Sequence, residues 1–236
     1  YQLPLLCSDL PKKHYLRFNK VQAAVLLSYF DPLLDFADLP SAWLVEKVET
    51  GHLIKNRFFP LQTLYGPGDK LSNVDFEEFI YAETMLSKYE KNKDESSLDQ
   101  FIAILFRPGG RAGDQDGDVR EVFNVHSVKG RAKLIEKLDA GTKMAIQLNY
   151  MGCKALFPKL YKELFSTNDP EEKQDGKSSF SWLDVAYRTA NHLPTELQVL
   201  KRMNLHEVLA SLNLKVRDDK DLKIEIEKMR RKNTKS

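Results

Sequence analysis

Apolar residues recur at helical spacing over most of this chain. From Ser72-Asn73 the run Phe76, Phe79, Ile80 and Leu86, ending at Tyr89, marks an amphipathic helix. A polar link over 90–97 separates it from a second apolar run over 98–106, closed by Arg107-Pro-Gly-Gly110. Both stripes require burial and the link is short, so residues 72–105 are expected to fold as an antiparallel helical pair. Further on, Ser127 is placed to cap a helix over 128–138, and Thr142 one over 144–157. Pro158 then kinks or restarts the helix before Leu160, Tyr161, Leu164 and Phe165.

Upstream, Asp9-Leu-Pro11 reads as a helix start, followed by apolar positions from Tyr15 to Leu26 until Asp31-Pro32 stops the run. Ser41 is expected to cap a short helix carrying Trp43, Leu44 and Val48, with Gly51 ending it. The segment 58–65 is β-prone and runs into Gly66-Pro-Gly-Asp69, a strong turn signal. A short hairpin or an extended loop is expected there, with Pro60 restricting any strand to a sheet edge. The polar stretch 166–179 reads as a mobile loop. Beyond it come a helix with Trp182, Val185 and Ala186, a second over 195–203, and a third opened by Asn204-Leu-His-Glu207 and ending near Leu212. From Arg217 the chain is charged, with Leu222, Ile224, Ile226 and Met229 its only large apolar residues. The expected fold class is therefore mainly α: an irregular multi-helix domain over 1–215 with a short β-hairpin and mobile loops near 107–118 and 166–180. Residues 216–236 form an exposed, charged C-terminal helix or tail.

Composition adds boundaries rather than chemistry. At 236 residues the chain is long enough to bury a real core. Its 36 basic and 34 acidic residues leave a formal charge of +2, so no overall field draws in nucleic acid or an anionic membrane. The longest wholly apolar runs, 23–27 and 101–106, fall far short of the ~20 residues that a spanning helix needs. Cys7 and Cys153 offer neither a disulfide framework nor a CxxC site, which fits a reducing compartment. A first residue other than methionine is expected to mark trimming or processing, a removed signal peptide among the options.

Several local motifs fail when their register is checked. Asp114-Gln-Asp-Gly-Asp118 begins like an EF-hand loop, but Val119 stands where glycine is required and Val125 where a bidentate glutamate is required. A solvated acidic loop that binds no calcium is expected. Gly66-Pro-Gly-Asp-Lys-Leu-Ser72 lacks the Gly-Lys-Ser/Thr ending of a phosphate loop and reads as a turn. The histidines at 14, 52, 126, 192 and 206 share no zinc-ligand spacing with one another or with a cysteine. Cys153, between Tyr150 and Leu156, reads as a core residue. The basic end from Met229 follows an acidic stretch (Asp218, Asp219, Asp221, Glu225, Glu227) and lacks aromatic stacking platforms. An exposed, charge-laced helix for partner binding is the better reading.

Over roughly residues 72–215 the order of features resembles tailed-bacteriophage or prophage morphogenesis proteins. The resemblance lies in Phe76-Glu-Glu-Phe79, Ile102-Ala-Ile-Leu-Phe-Arg-Pro108, Arg120-Glu-Val-Phe-Asn124, Leu156-Phe-Pro-Lys-Leu-Tyr161, the Trp182 helix and Met203-Asn-Leu-His-Glu-Val-Leu209. It implies a tail-assembly chaperone or small tail or neck component in the host cytoplasm or the virion. Such a protein is not an enzyme. It uses no catalytic, cofactor-binding or metal residues and binds other phage structural or assembly proteins or its own copies, without a membrane. The rivals are a nucleic-acid-binding accessory protein using the basic C-terminus, and an enzyme whose site is assembled only in three dimensions.

Overall fold

The computed structural model describes residues 39–50, 63–110, 118–166 and 181–233. The helix expected after Pro11, Gly51, Pro60, the acidic run 111–117 and the polar segment 167–180 lie outside the described residues. Among the described residues the fold is mainly helical, with a small three-stranded antiparallel sheet of order β1-β2-β3. Its strands are β1 (Lys47–Glu49), β2 (Thr63–Tyr65) and β3 (Arg107–Pro108).

The helical pair expected over 72–105 is present as α1 (Phe76–Asn92) and α2 (Glu95–Leu105), packed against each other. Lys93 reverses the chain in the left-handed region (φ 54), and Asp94 caps α2 by accepting from the Ser96 amide. Burial explains the pairing. Phe76, Phe79, Ile80, Ala82 and Leu86 on α1, and Leu98 with the run 101–105 on α2, form the centre of one apolar core.

Downstream lie α3 (Val125–Ile135), α4 (Ala140–Lys154) and a single turn, α5 (Phe157–Leu160). Both caps sit three residues earlier than the hydroxyl pattern suggests. Asn124 accepts from His126 N and Asp139 accepts from Thr142 N, while the Ser127 and Thr142 hydroxyls act as donors, to Asn124 O and to the Asp139 carboxylate. The upstream Asx acceptor reaches the exposed amides of the first turn and takes the cap. Next come α6 (Trp182–Thr189), α7 (Pro194–Arg202) and α8 (Leu205–Asn233). The last does not stop near Leu212: the expected third helix and the charged C-terminal segment are one continuous helix of 29 residues.

The sheet corrects two expectations. Residues 41–50 do not form a helix; they run extended into β1, and Val48 faces inward between exposed Lys47 and Glu49. The reason is tertiary. Asn149 on α4 donates to Pro40 O and Ala42 O and accepts from Leu44 N, supplying partners that a helix would have supplied internally. Trp43 is held by the turn before α1, through Trp43 N to the Asp69 carboxylate and Trp43 Nε1 to Gly68 O. Gly152 lets α4 come this close, since a Cβ there would lie 2.5 Å from Pro40 O. The second correction concerns β2, which is the central strand and not an edge. Val48 faces Leu64 and Leu64 faces Pro108, so the hairpin partner of β2 lies upstream, in β1. The β2 ladder over Thr63–Tyr65 contains no proline of its own.

Candidate functional site

Two features carry charge or exposure beyond ordinary packing: a buried ion cluster beneath β3 and the distal half of α8. The cluster is assembled by chain reversal. Gly109 bridges to Arg120, Gly110 N donates to Val119 O and Glu121 N to Pro108 O, so the strand after α2 is paired with the segment before α3. The region expected as a loop over 107–118 thus starts in a strand, and Asp118 at its far end is tied into the cluster.

Arg120, fully buried, satisfies all of its N–H groups. Nη1 donates to Glu78 Oε1 at 2.8 Å and to Leu105 O at 2.9 Å. Nη2 donates to Asn73 O and to Asp118 Oδ2, both at 2.8 Å, and Nε to Asp118 Oδ1 at 2.9 Å. Arg107 Nη2 lies 3.1 Å from Glu78 Oε2 and 3.5 Å from Asp118. Its guanidinium carbon sits 5.9 Å from the Phe123 ring centroid, while its Nε and Nη1 have no hydrogen-bond partner among the described residues. Glu78 is the fully buried carboxylate of α1; Glu77 and Glu83 on the same helix are partly exposed, and Lys88, Glu90 and Lys91 are exposed. A third arginine, Arg131 on α3, donates to Ala103 O, Glu121 and Ser127, and Lys143 on α4 pairs with buried Asp99 on α2. These contacts tie α1, α2, α3 and α4 together through polar groups that answer one another, and the cluster reads as a lock on the fold.

Asp75 stands beside the cluster as the residue before α1. Burial chiefly, and then the charge of Glu78, push its carboxyl from 3.8 up to about 6, against the pull of Arg107 and Arg120. The folded state thus holds this proton more tightly than the unfolded chain, so ionisation costs stability as pH rises from about 4 to 6 and the full penalty stands at pH 7. Asp75 is only half-buried, and solvent screening trims the penalty to about 1 kcal/mol. Asp75→Asn is expected to raise the unfolding free energy by that amount at pH 7 and to change it little at pH 3, read by urea melts. An equal gain at both pH values would assign the effect to helix capping instead of charge.

The second feature is α8. Leu205, Val208, Leu209 and Leu212 are buried in the core. Asn213 accepts from Glu163 N and Leu164 N, and Lys220 reaches Glu163 and Ser166. From Asp221 to Lys232 every side chain is exposed. Leu222, Ile224, Ile226 and Met229 remain 42–55% exposed, on roughly 18 Å of helix at 1.5 Å per residue. A shallow apolar groove between α6 and α7 is lined by Ala190, Val199, Leu200 and Met203.

The positions singled out by motif spacing are scattered. Cys153 is buried, donates to Ser41 O, and has its thiol pushed up to about 12 by burial, so it is a packing residue with negligible thiolate at neutral pH. His206 is held between Tyr161 Oη at 2.6 Å and Lys70 O at 2.8 Å, while His126 and His192 are exposed. His14, His52 and Cys7 lie outside the described residues. Residues 66–72 form a turn that anchors Trp43, with Gly66 pressed against the Phe106 ring. Among the described residues no group of three or more His, Cys, Asp or Glu side chains is placed to hold a metal ion, and no helix is long and apolar enough to cross a membrane. Sequence reasoning missed Glu78, Arg107, Arg120 and Asn149, whose partners are distant in sequence apart from Asp118, which lies two residues before Arg120. Glu78 lies about 100° around the helix from Phe79, at the border of the apolar stripe, so helical spacing did not mark it as buried. Compared with protein-family models, with curated proteins and with solved structures, the chain matches none.

Proposed function

We propose that this protein is a non-catalytic binding component in the assembly of a tailed-phage particle or a phage-like machine, at the tail or neck, in the host cytoplasm or the virion. The observation that carries the binding role is the distal half of α8: a helix rooted in the core that presents apolar side chains to solvent over several turns. Apolar stripes of this kind are used in helix-in-groove recognition. The phage setting rests on the resemblance over residues 72–215. The reading assigns the chain no reaction and no cofactor.

The distal helix buries none of its side chains between Asp221 and Lys232, and a segment of this length is marginal in water on its own. Deleting residues 218–236 is therefore expected to shift the thermal midpoint by less than about 2 °C, the lost Lys220 pair being an exposed one. The same deletion is expected to weaken binding to purified tail or neck proteins at least ten-fold. Unfolding of the truncated chain would make the segment part of the core. The exposed basic run Lys228, Arg230, Arg231 and Lys232 favours the nucleic-acid rival. A steep loss of DNA or RNA binding with added salt, removed by the deletion, would establish that rival in place of the proposal.

A further inference from the structure

We infer that the distal half of α8 pairs with the same segment of a second copy of this chain, in parallel and in register, as a short two-stranded coiled coil. The inference names a partner for the contact surface proposed above and rests on that reading.

Leu222, Ile226 and Met229 are spaced by four and then three residues, which places them at d, a and d of a heptad and on one face of the helix. Extending the register back puts Asp219 at a and Lys215 at d, so the apolar seam begins at Leu222, beyond the part of α8 that packs on the core. A β-branched residue at a with leucine at d suits two parallel strands.

The flanking charges select the orientation. Asp218 and Glu225 occupy g positions, Lys223 and Arg230 occupy e positions, and all four are exposed. In a parallel pair each g residue meets the e residue five places on in the second helix, so Asp218 meets Lys223 and Glu225 meets Arg230, opposite charges in both cases. An antiparallel pair brings e against e, setting Lys223 against Lys223 or Arg230 of the other copy. The attachment of the helix permits the parallel arrangement. At 3.6 residues per turn the seam lies about a quarter turn from the face that carries Val208, Leu209 and Leu212. A two-fold axis along the seam then places the two domains on opposite sides of the paired helices.

The interface is small, so the dimer is weak and concentration-dependent. Sedimentation equilibrium of the full chain is expected to show monomer and dimer in exchange, with Ile226→Asp held as monomer at the same thermal midpoint. Glu225→Lys alone and Arg230→Glu alone are each expected to weaken association about ten-fold, while the two together restore it. Residues five apart do not face each other on one helix, so such rescue arises only between copies. A single one-chain mass up to the highest soluble concentration overturns the inference. So does a dimer in which the double charge swap gives no rescue. If the chain is monomeric and deletion of residues 218–236 still abolishes binding of tail or neck proteins, the pairing fails and the contact-surface reading stands; if that binding also survives the deletion, both fail.

Discussion

Arg120→Met is expected to lower the unfolding free energy by about 3–5 kcal/mol, the cost of leaving buried charge without its partner. The substitution leaves Glu78 and Asp118 sharing Arg107 alone, which lies 3.1 Å from the first and 3.5 Å from the second. It also removes the donor to the carbonyls of Leu105 and Asn73, two backbone groups that the guanidinium satisfies from within the core. Arg107→Met is expected to cost clearly less. Two of its nitrogens have no partner to lose among the described residues, and Glu78 and Asp118 keep their closer contacts to Arg120. Urea melts at pH 7 read the difference directly. Equal losses from the two variants, or a loss below about 1 kcal/mol for Arg120→Met, would show that the cluster does not bind the β3 region to α1.

Phe79→Ala is expected to cost about 3–5 kcal/mol through lost burial and the cavity left behind. The ring is fully buried and lies 5.2 Å from the Trp182 ring, 6.0 Å from Phe157 and 6.4 Å from Phe76, between centroids. These partners come from α1, α5 and α6, elements separated by long stretches of chain, so collapse around the site is limited. Phe79→Leu keeps most of the volume and is expected to lose markedly less. A change within measurement error for the alanine variant would place the side chain at the surface, contrary to its burial.

What was legible in the sequence was whatever depends on local periodicity. The stripes of α1 and α2 were readable because Phe76, Phe79, Leu98 and Phe101 recur at helical spacing, and the helix opening at Asn204 marked a real boundary. Trp43 to Val48 misled because helical spacing and a cap-like Ser41 were outweighed by Asn149, which lies more than 100 residues away and captures that backbone. The caps at Asn124 and Asp139 were missed by one turn because a hydroxyl and an Asx residue both stood near each helix start. The ion cluster was hidden for the same reason as the Asn149 clamp: Glu78 and Arg120 are 42 residues apart, and nothing local pairs them. The exposed stripe on α8 was readable in advance, since Leu222, Ile226 and Met229 stand alone among charges. Its continuity with the core helix was not, because Arg217 to Asp221 carries no apolar residue to signal that the helix runs on.

The account turns on the distal half of α8 being a protein-binding surface separable from the fold. The most direct measurement is the affinity of purified tail and neck proteins for the immobilised full chain, compared with a chain ending at Arg217, each checked for an unchanged thermal midpoint. The account predicts that at least one such protein binds the full chain and loses at least ten-fold in affinity to the shortened one. Equal binding to both chains, or binding to neither, would contradict it.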